Sequence, residues 1–141
     1  MEFTHQVVID APVERVWAVY ADVEHWADWT ASIRSVELLD GASLVLGAKA
    51  KIRQPKLPVA TWEVTALAEG RSWTWVATGP GARTTADHAM TPQADGTTLV
   101  ETRLTQEGPL GAVIGRVYAS LTRRYLAMEA AGLKARCESA A

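Results

Sequence analysis

The end of the chain places its apolar residues at a different period from the middle, and that change restricts the fold more than any other feature. From Pro109 to about Cys137, Leu110, Val113, Ile114, Val117, Tyr118, Leu121, Tyr125 and Met128 recur at helical spacing. About 28 residues of helix would run about 40 Å. A helix of that length with one apolar stripe needs a broad partner surface. Gly111, Gly115 and Gly132 interrupt the pattern, each at about 1 kcal/mol relative to alanine. The first two soften the start, and Gly132 marks a bend or a close contact.

The partner is read from the alternating segments upstream. "EFTHQVVID" puts Phe3, His5, Val7 and Ile9 on one side of a strand. The period then becomes helical: Asp10 or Ala11 caps, Pro12 suits a first turn, and Val13, Val16, Trp17 and Tyr20 form a stripe. Asp22 opens a second short helix with Val23, Trp26 and Trp29 inward. Alternation then returns. "SIRSVELLD" ends at Asp40-Gly41, and "GAKAKIRQ" is stopped by the prolines of "PKLP". "VATWEVTALA" pairs with "RSWTWVATG" across Glu69-Gly70, and "ARTTADHAMTP" pairs with "TTLVETRLTQ" across Ala94-Asp95-Gly96. These segments predict a seven-stranded antiparallel sheet, concave toward the C-terminal helix, in an α+β chain. Gly79-Pro80-Gly81 reads as a turn and not as a phosphate loop.

Bulk properties remove several function classes. The chain has 141 residues, enough for one domain with a substantial core. Its net charge is −2 and it has no basic run, which argues against nucleic acid. Cys137 is the only cysteine, so no internal disulfide can form. That composition, with no signal-peptide pattern and no long apolar run, leads us to expect a cytoplasmic protein without an integral membrane segment. His5, His25 and His88 are scattered, and no Cys/His cluster has metal-ligand spacing. No G-x-S-x-G elbow is present. We expect no metal and no cofactor.

The order of one strand, two short helices, six strands and a long helix is that of the helix-grip fold. The segments "IDAPVERVWAVYADVEHWADWTASIRSVELLDG", "KIRQPKLPVATWEVTAL", "GRSWTWVATGPG", "DGTTLVETRLTQEGPLG" and "YLAMEAAGLKARCE" resemble the START/Bet v 1-like (SRPBCC) superfamily. Within it, they are similar to the polyketide cyclase/dehydrase-like bacterial proteins. The resemblance runs over nearly the whole chain and implies one domain over residues 1–141. It specifies a fold and not a reaction, because the superfamily shares a cavity and no catalytic motif. It implies an apolar ligand cavity between sheet and helix, filled by a polyketide-like aromatic, a lipid or a quinone.

Alternation then nominates the lining. Trp62 and Val64 share a face, as do Trp73 and Trp75. Thr84, Ala86, His88 and Met90 share the next. Val100, Thr102 and Leu104 point inward, opposite Glu101 and Arg103. Val117, Tyr118, Leu121 and Tyr125 come from the helix. Two readings stand for the hairpin tryptophans: plain core, the commoner fate of large apolar residues, or cavity wall with indole N–H donors. Trp17, Trp26 and Trp29 read as structural, the alternative being Trp26 or Trp29 at the rim of the entrance. An inward His88 would be neutral at physiological pH, and suited to acid/base work or to bonding a ligand carbonyl. Its competing reading is a satisfied core histidine. Arg53 and Arg103 read as outward, solvated residues, the alternative being that they guard the cavity mouth. "QPKLP" at Gln54 to Pro58 reads either as an entrance loop or as an ordinary connection. The leading expectation is a carrier or sensor of a hydrophobic small molecule, monomeric or homodimeric. The alternatives are a polyketide cyclase or dehydratase using the same cavity, with His88 as the catalytic residue, and a protein-interaction module of the chaperone-activator kind.

Overall fold

The computed structural model describes residues 1–41 and 43–139. Strand β1 (Glu2–Ile9) leads into helix α1 (Val13–Tyr20) and a 3-10 helix (Val23–Asp28). Six strands follow: β2 (Ser35–Leu38), β3 (Lys49–Arg53), β4 (Ala60–Ala68), β5 (Ser72–Gly79), β6 (Ala82–Pro92) and β7 (Thr98–Glu107). All pairs are antiparallel, in the order β1-β7-β6-β5-β4-β3-β2. The chain closes with α2 (Gly111–Val117) and α3 (Ala119–Glu138). This is the helix-grip arrangement.

Alternation places the side chains as the strand period requires. Phe3 and Ile9 are buried on β1; Ala50 and Ile52 on β3; Ala86, His88 and Met90 on β6; Val100 and Thr102 on β7. A bulge between Val64 and Ala66 shifts the β4–β5 register, which restores Leu67 opposite Trp73. Pro12 caps α1 with its backbone alone, and no side chain of Asp10 or Asp22 caps either short helix. Asp22 instead holds His25, Oδ1 to Nδ1 at 2.9 Å. The second short helix is a 3-10 helix in which Val23 and Trp26 are buried.

The expected single helix from Pro109 to Cys137 is two segments. It starts at Gly111 and breaks at Tyr118, whose φ and ψ of −101° and 11° leave the helical region. The cause is a close approach to β7. A Cβ on Gly115 would sit 2.7 Å from Gln106 Oε1 and from Met1 Sδ, and one on Gly111 would meet the Gln106 backbone at 3.1 Å. The glycines let α2 lie on the end of the sheet, and α3 then leaves at a new angle. Val117 is correspondingly turned out, 71% exposed, and is not an inner-face residue. Gly132 is a close contact: any Cβ there would overlap the backbone oxygen of Trp29. The far end of α3 is pinned by Arg15, whose Nε donates to the Cys137 carbonyl at 2.7 Å.

Candidate functional site

The concave face is built from rows of cross-strand neighbours. One row runs Leu67, Trp73, His88, Thr102, His5 across β4, β5, β6, β7 and β1. The next runs Val64, Trp75, Ala86, Leu104, Phe3. Beyond it lie Ala77, Thr84 and Gln106, with Trp62 at the β3–β4 side opposite Ala50.

Burial changes along these rows. Toward Met90 and Val100 the face is sealed, and the helical aromatics are what seal it. Tyr20 packs edge-on to Trp73 at 4.9 Å between centroids, Trp26 lies 5.5 Å from Trp75, and His88 stacks on Trp73 at 4.1 Å. Trp26 anchors itself by donating Nε1–H to the Tyr20 carbonyl at 2.8 Å. Toward the β5–β6 tip the face is half-open. Trp62, Ala77, Thr84 and Leu104 keep partial exposure, and so do Tyr118, Leu121, Tyr125 and Met128 of the C-terminal helical segments.

The residues nominated from the sequence therefore divide into two groups. Val64, Trp73, Trp75, His88, Met90 and Thr102 lie in the sealed part of the inner face. Trp62, Leu104, Tyr118, Leu121 and Tyr125 flank the half-open part. Arg53 and Arg103 are exposed, as read.

Three buried polar atoms lack a partner among the described residues: Trp62 Nε1, Trp73 Nε1 and Gln106 Oε1. Buried polar groups are normally satisfied, so each marks a place where a bond is missing. Of the three residues, Trp62 alone keeps partial exposure, while Trp73 and Gln106 are buried.

Between the sealed and open parts sits a polar cluster. Tyr20 Oη donates to Glu129 Oε2 at 2.6 Å and lies 3.3 Å from Thr102 Oγ1. Burial pushes the Glu129 carboxyl up to about 7, against the lowering effect of the Tyr20 bond. Burial and the neighbouring carboxyl raise the Tyr20 phenol well above its ordinary value. Burial pushes His88 down to about 3, which the Nδ1 contact to the Trp73 carbonyl at 3.3 Å only partly opposes. His88 is thus a neutral imidazole stacked in the aromatic core. Among the described residues Glu129 Oε1 takes no protein hydrogen bond. Periodicity alone does not nominate Glu129. Its signal was a carboxylate four residues beyond Tyr125 and four before the buried Leu133, on the stripe that should have been apolar.

Across the open end, Tyr125 Oη donates to the Pro55 carbonyl at 2.5 Å. That bond ties α3 to the turn between β3 and β4, the loop singled out from its prolines.

Comparison with solved structures supports the same architecture. A protein of Nitrosospira multiformis is 21% identical, with 99% of this chain and 97% of that one covered and a TM-score of 0.70. A START superfamily protein from Mycobacterium smegmatis is 18% identical over 97% of both chains, with a TM-score of 0.71. A norcoclaurine synthase point mutant of Thalictrum flavum, in complex with a transition-state analogue, is 11% identical, covering 97% and 93%, with a TM-score of 0.74. No curated protein matches the sequence. The family model described as polyketide cyclase / dehydrase and lipid transport matches residues 1–138, and the chain belongs to that family.

Proposed function

We propose that the protein binds an apolar small molecule bearing a hydrogen-bond acceptor, held between the half-open end of the sheet and α3. The observation that carries this reading is the indole N–H of Trp62, buried on the inner face with no acceptor among the described residues. A carbonyl or hydroxyl oxygen on the ligand supplies one. Leu104 and Leu121 give the apolar walls, and Tyr125 and Glu129 give polar groups at the far side, the mixture that orients a ligand in an otherwise greasy site. Family membership supports the same class of ligand: a polyketide-like aromatic, a lipid or a quinone. Native mass spectrometry of the protein from its source organism, followed by denaturing extraction, tests it. The expected result is a stoichiometric apolar compound, lost on Leu121→Trp, which fills the gap. An empty protein that also ignores added lipids, quinones and aromatic polyketides would refute it.

One observation favours a second reading, turnover of the bound molecule. Burial brings the Glu129 pKa to about 7, and its Oε1 takes no hydrogen bond among the described residues, which suits a general base toward a carbon acid flanked by carbonyls. His88 is sealed and holds its neutral form far below physiological pH, so proton transfer falls to Glu129 and His88 serves as wall. In this reading Glu129→Gln abolishes turnover and leaves ligand affinity within a few-fold. Loss of turnover on His88→Gln with full activity in Glu129→Gln would reverse the assignment.

A further inference from the structure

A cleft of about 390 Å³ lies outside the sheet–helix gap, lined by Arg34, Arg53, Gln54, Pro55, Lys56, Leu57 and Val59. Its lining contains three cations and no carboxylate. Just ahead of β2 the Arg34 amide donates to the Arg53 carbonyl at 2.8 Å, and both residues line the cleft. Among the described residues, none of the three cations takes part in an ion pair. Like charges gathered without a counter-charge repel one another, and an anion relieves that.

The turn that carries Lys56 gives a second, independent indication. Leu57 N–H bonds the Gln54 carbonyl at 3.3 Å, with Pro55 and Lys56 at the two central positions. Lys56 has φ +66°, where this kind of turn takes glycine or asparagine without strain. The turn is nevertheless held firmly from both sides, by Gln54 Nε2 on the Ser32 carbonyl at 3.3 Å and by Tyr125 on Pro55. Lys56 is thus a lysine in a strained backbone conformation, on a pinned turn that lines a basic cleft.

Pro55 joins the cleft to α3: it lines the cleft, and its carbonyl accepts the bond from Tyr125. We propose that the cleft of Arg34, Arg53 and Lys56 receives the anionic group, a carboxylate or phosphate, of an amphiphile whose apolar part occupies the gap. This rests on the binding reading above and specifies its ligand class. The guanidinium groups supply paired N–H donors to such an oxyanion. Leu57 and Val59 line the same cleft beside the charges.

The test uses two fluorescent probes that differ by one anionic group: 8-anilinonaphthalene-1-sulfonate and the neutral N-phenyl-1-naphthylamine. The expected result is about tenfold tighter binding of the sulfonate at low salt, the scale of two or three exposed charge contacts. That preference disappears in Arg34→Gln/Arg53→Gln and shrinks in Lys56→Gly, while the neutral probe binds all variants alike. Lys56→Gly also relaxes the turn, so it remains informative if the double variant does not fold. Equal affinity of the wild type for both probes overturns the anionic subsite and leaves the apolar site standing. Failure of both probes to bind overturns the two readings together. Inorganic phosphate separates the sources. Displacement of the sulfonate only at concentrations far above its own supports an amphiphile. Phosphate binding as tight as the sulfonate's identifies a free-anion site and overturns the proposal.

Discussion

Trp62 and Trp26 make a controlled pair, because the same substitution has opposite consequences at the two positions. Trp26→Phe removes the donor to the Tyr20 carbonyl and leaves a buried acceptor unpaired, a loss of about 1–3 kcal/mol. Trp62→Phe removes a donor that has no partner among the described residues, so the free protein should be unchanged or slightly more stable, by up to about 1 kcal/mol, while ligand affinity falls. Urea denaturation of the two variants measures the difference, and an equal loss in both would refute the account of Trp62. The inward face of each of these residues' neighbours was legible because a strand's period is two: Trp73, Trp75, His88, Met90 and Thr102 follow from counting. The Tyr20–Glu129 bond was not legible. It joins residues 109 positions apart, and no local pattern encodes which helix faces which.

At the scale of elements, the position of α3 depends on one missing Cβ. Gly132 lets α3 pass against the Trp29 backbone, and that contact seats the helix beside the aromatic plug. Gly132→Ala should cost at least about 2 kcal/mol despite alanine's better helix propensity of about 1 kcal/mol. Gly79→Ala, where nothing lies within 4 Å of the new Cβ, should change stability by no more than about 0.5 kcal/mol. Thermal melts of the two variants give the comparison, and a neutral Gly132→Ala would mean that α3 is not held there. The helical period announced a C-terminal helix correctly. It did not show the break at Tyr118, because the break comes from Gly111 and Gly115 meeting Gln106 and Met1, contacts made only once β1 and β7 are paired. Both glycines read as weak points in a helix. Their function is close approach.

At the scale of the molecule, two buried titrations of opposite sign shape stability against pH. His88 is held down from 6.5 to about 3, so below 6.5 the unfolded chain binds a proton that the folded one refuses, and stability falls as pH falls. Glu129 is held up from 4.5 to about 7, so between those values the folded state keeps a proton that the unfolded chain releases, and stability falls as pH rises. Each slope is about 1.4 kcal/mol per pH unit. They oppose one another between 4.5 and 6.5, which predicts a plateau there and an acid limb below it. Glu129→Gln should turn the plateau into a rise toward neutral pH, whereas an unchanged profile would remove Glu129 from the interior. The seven strands, the concave face and the closing helix were all readable from period alone. The aromatic plug was not, because it depends on how far α1 and the 3-10 helix reach into the grip. The central claim is that a ligand enters the remaining half-open end and bonds Trp62. The most direct measurement is an NMR titration of the 15N-labelled indole N–H groups with N-phenyl-1-naphthylamine and then with any compound recovered from the native protein, the Trp62 signal being assigned by Trp62→Phe. The account predicts a saturable shift of the Trp62 indole with the Trp26 indole, already bonded to Tyr20, nearly still. Binding that leaves the Trp62 signal in place would contradict it.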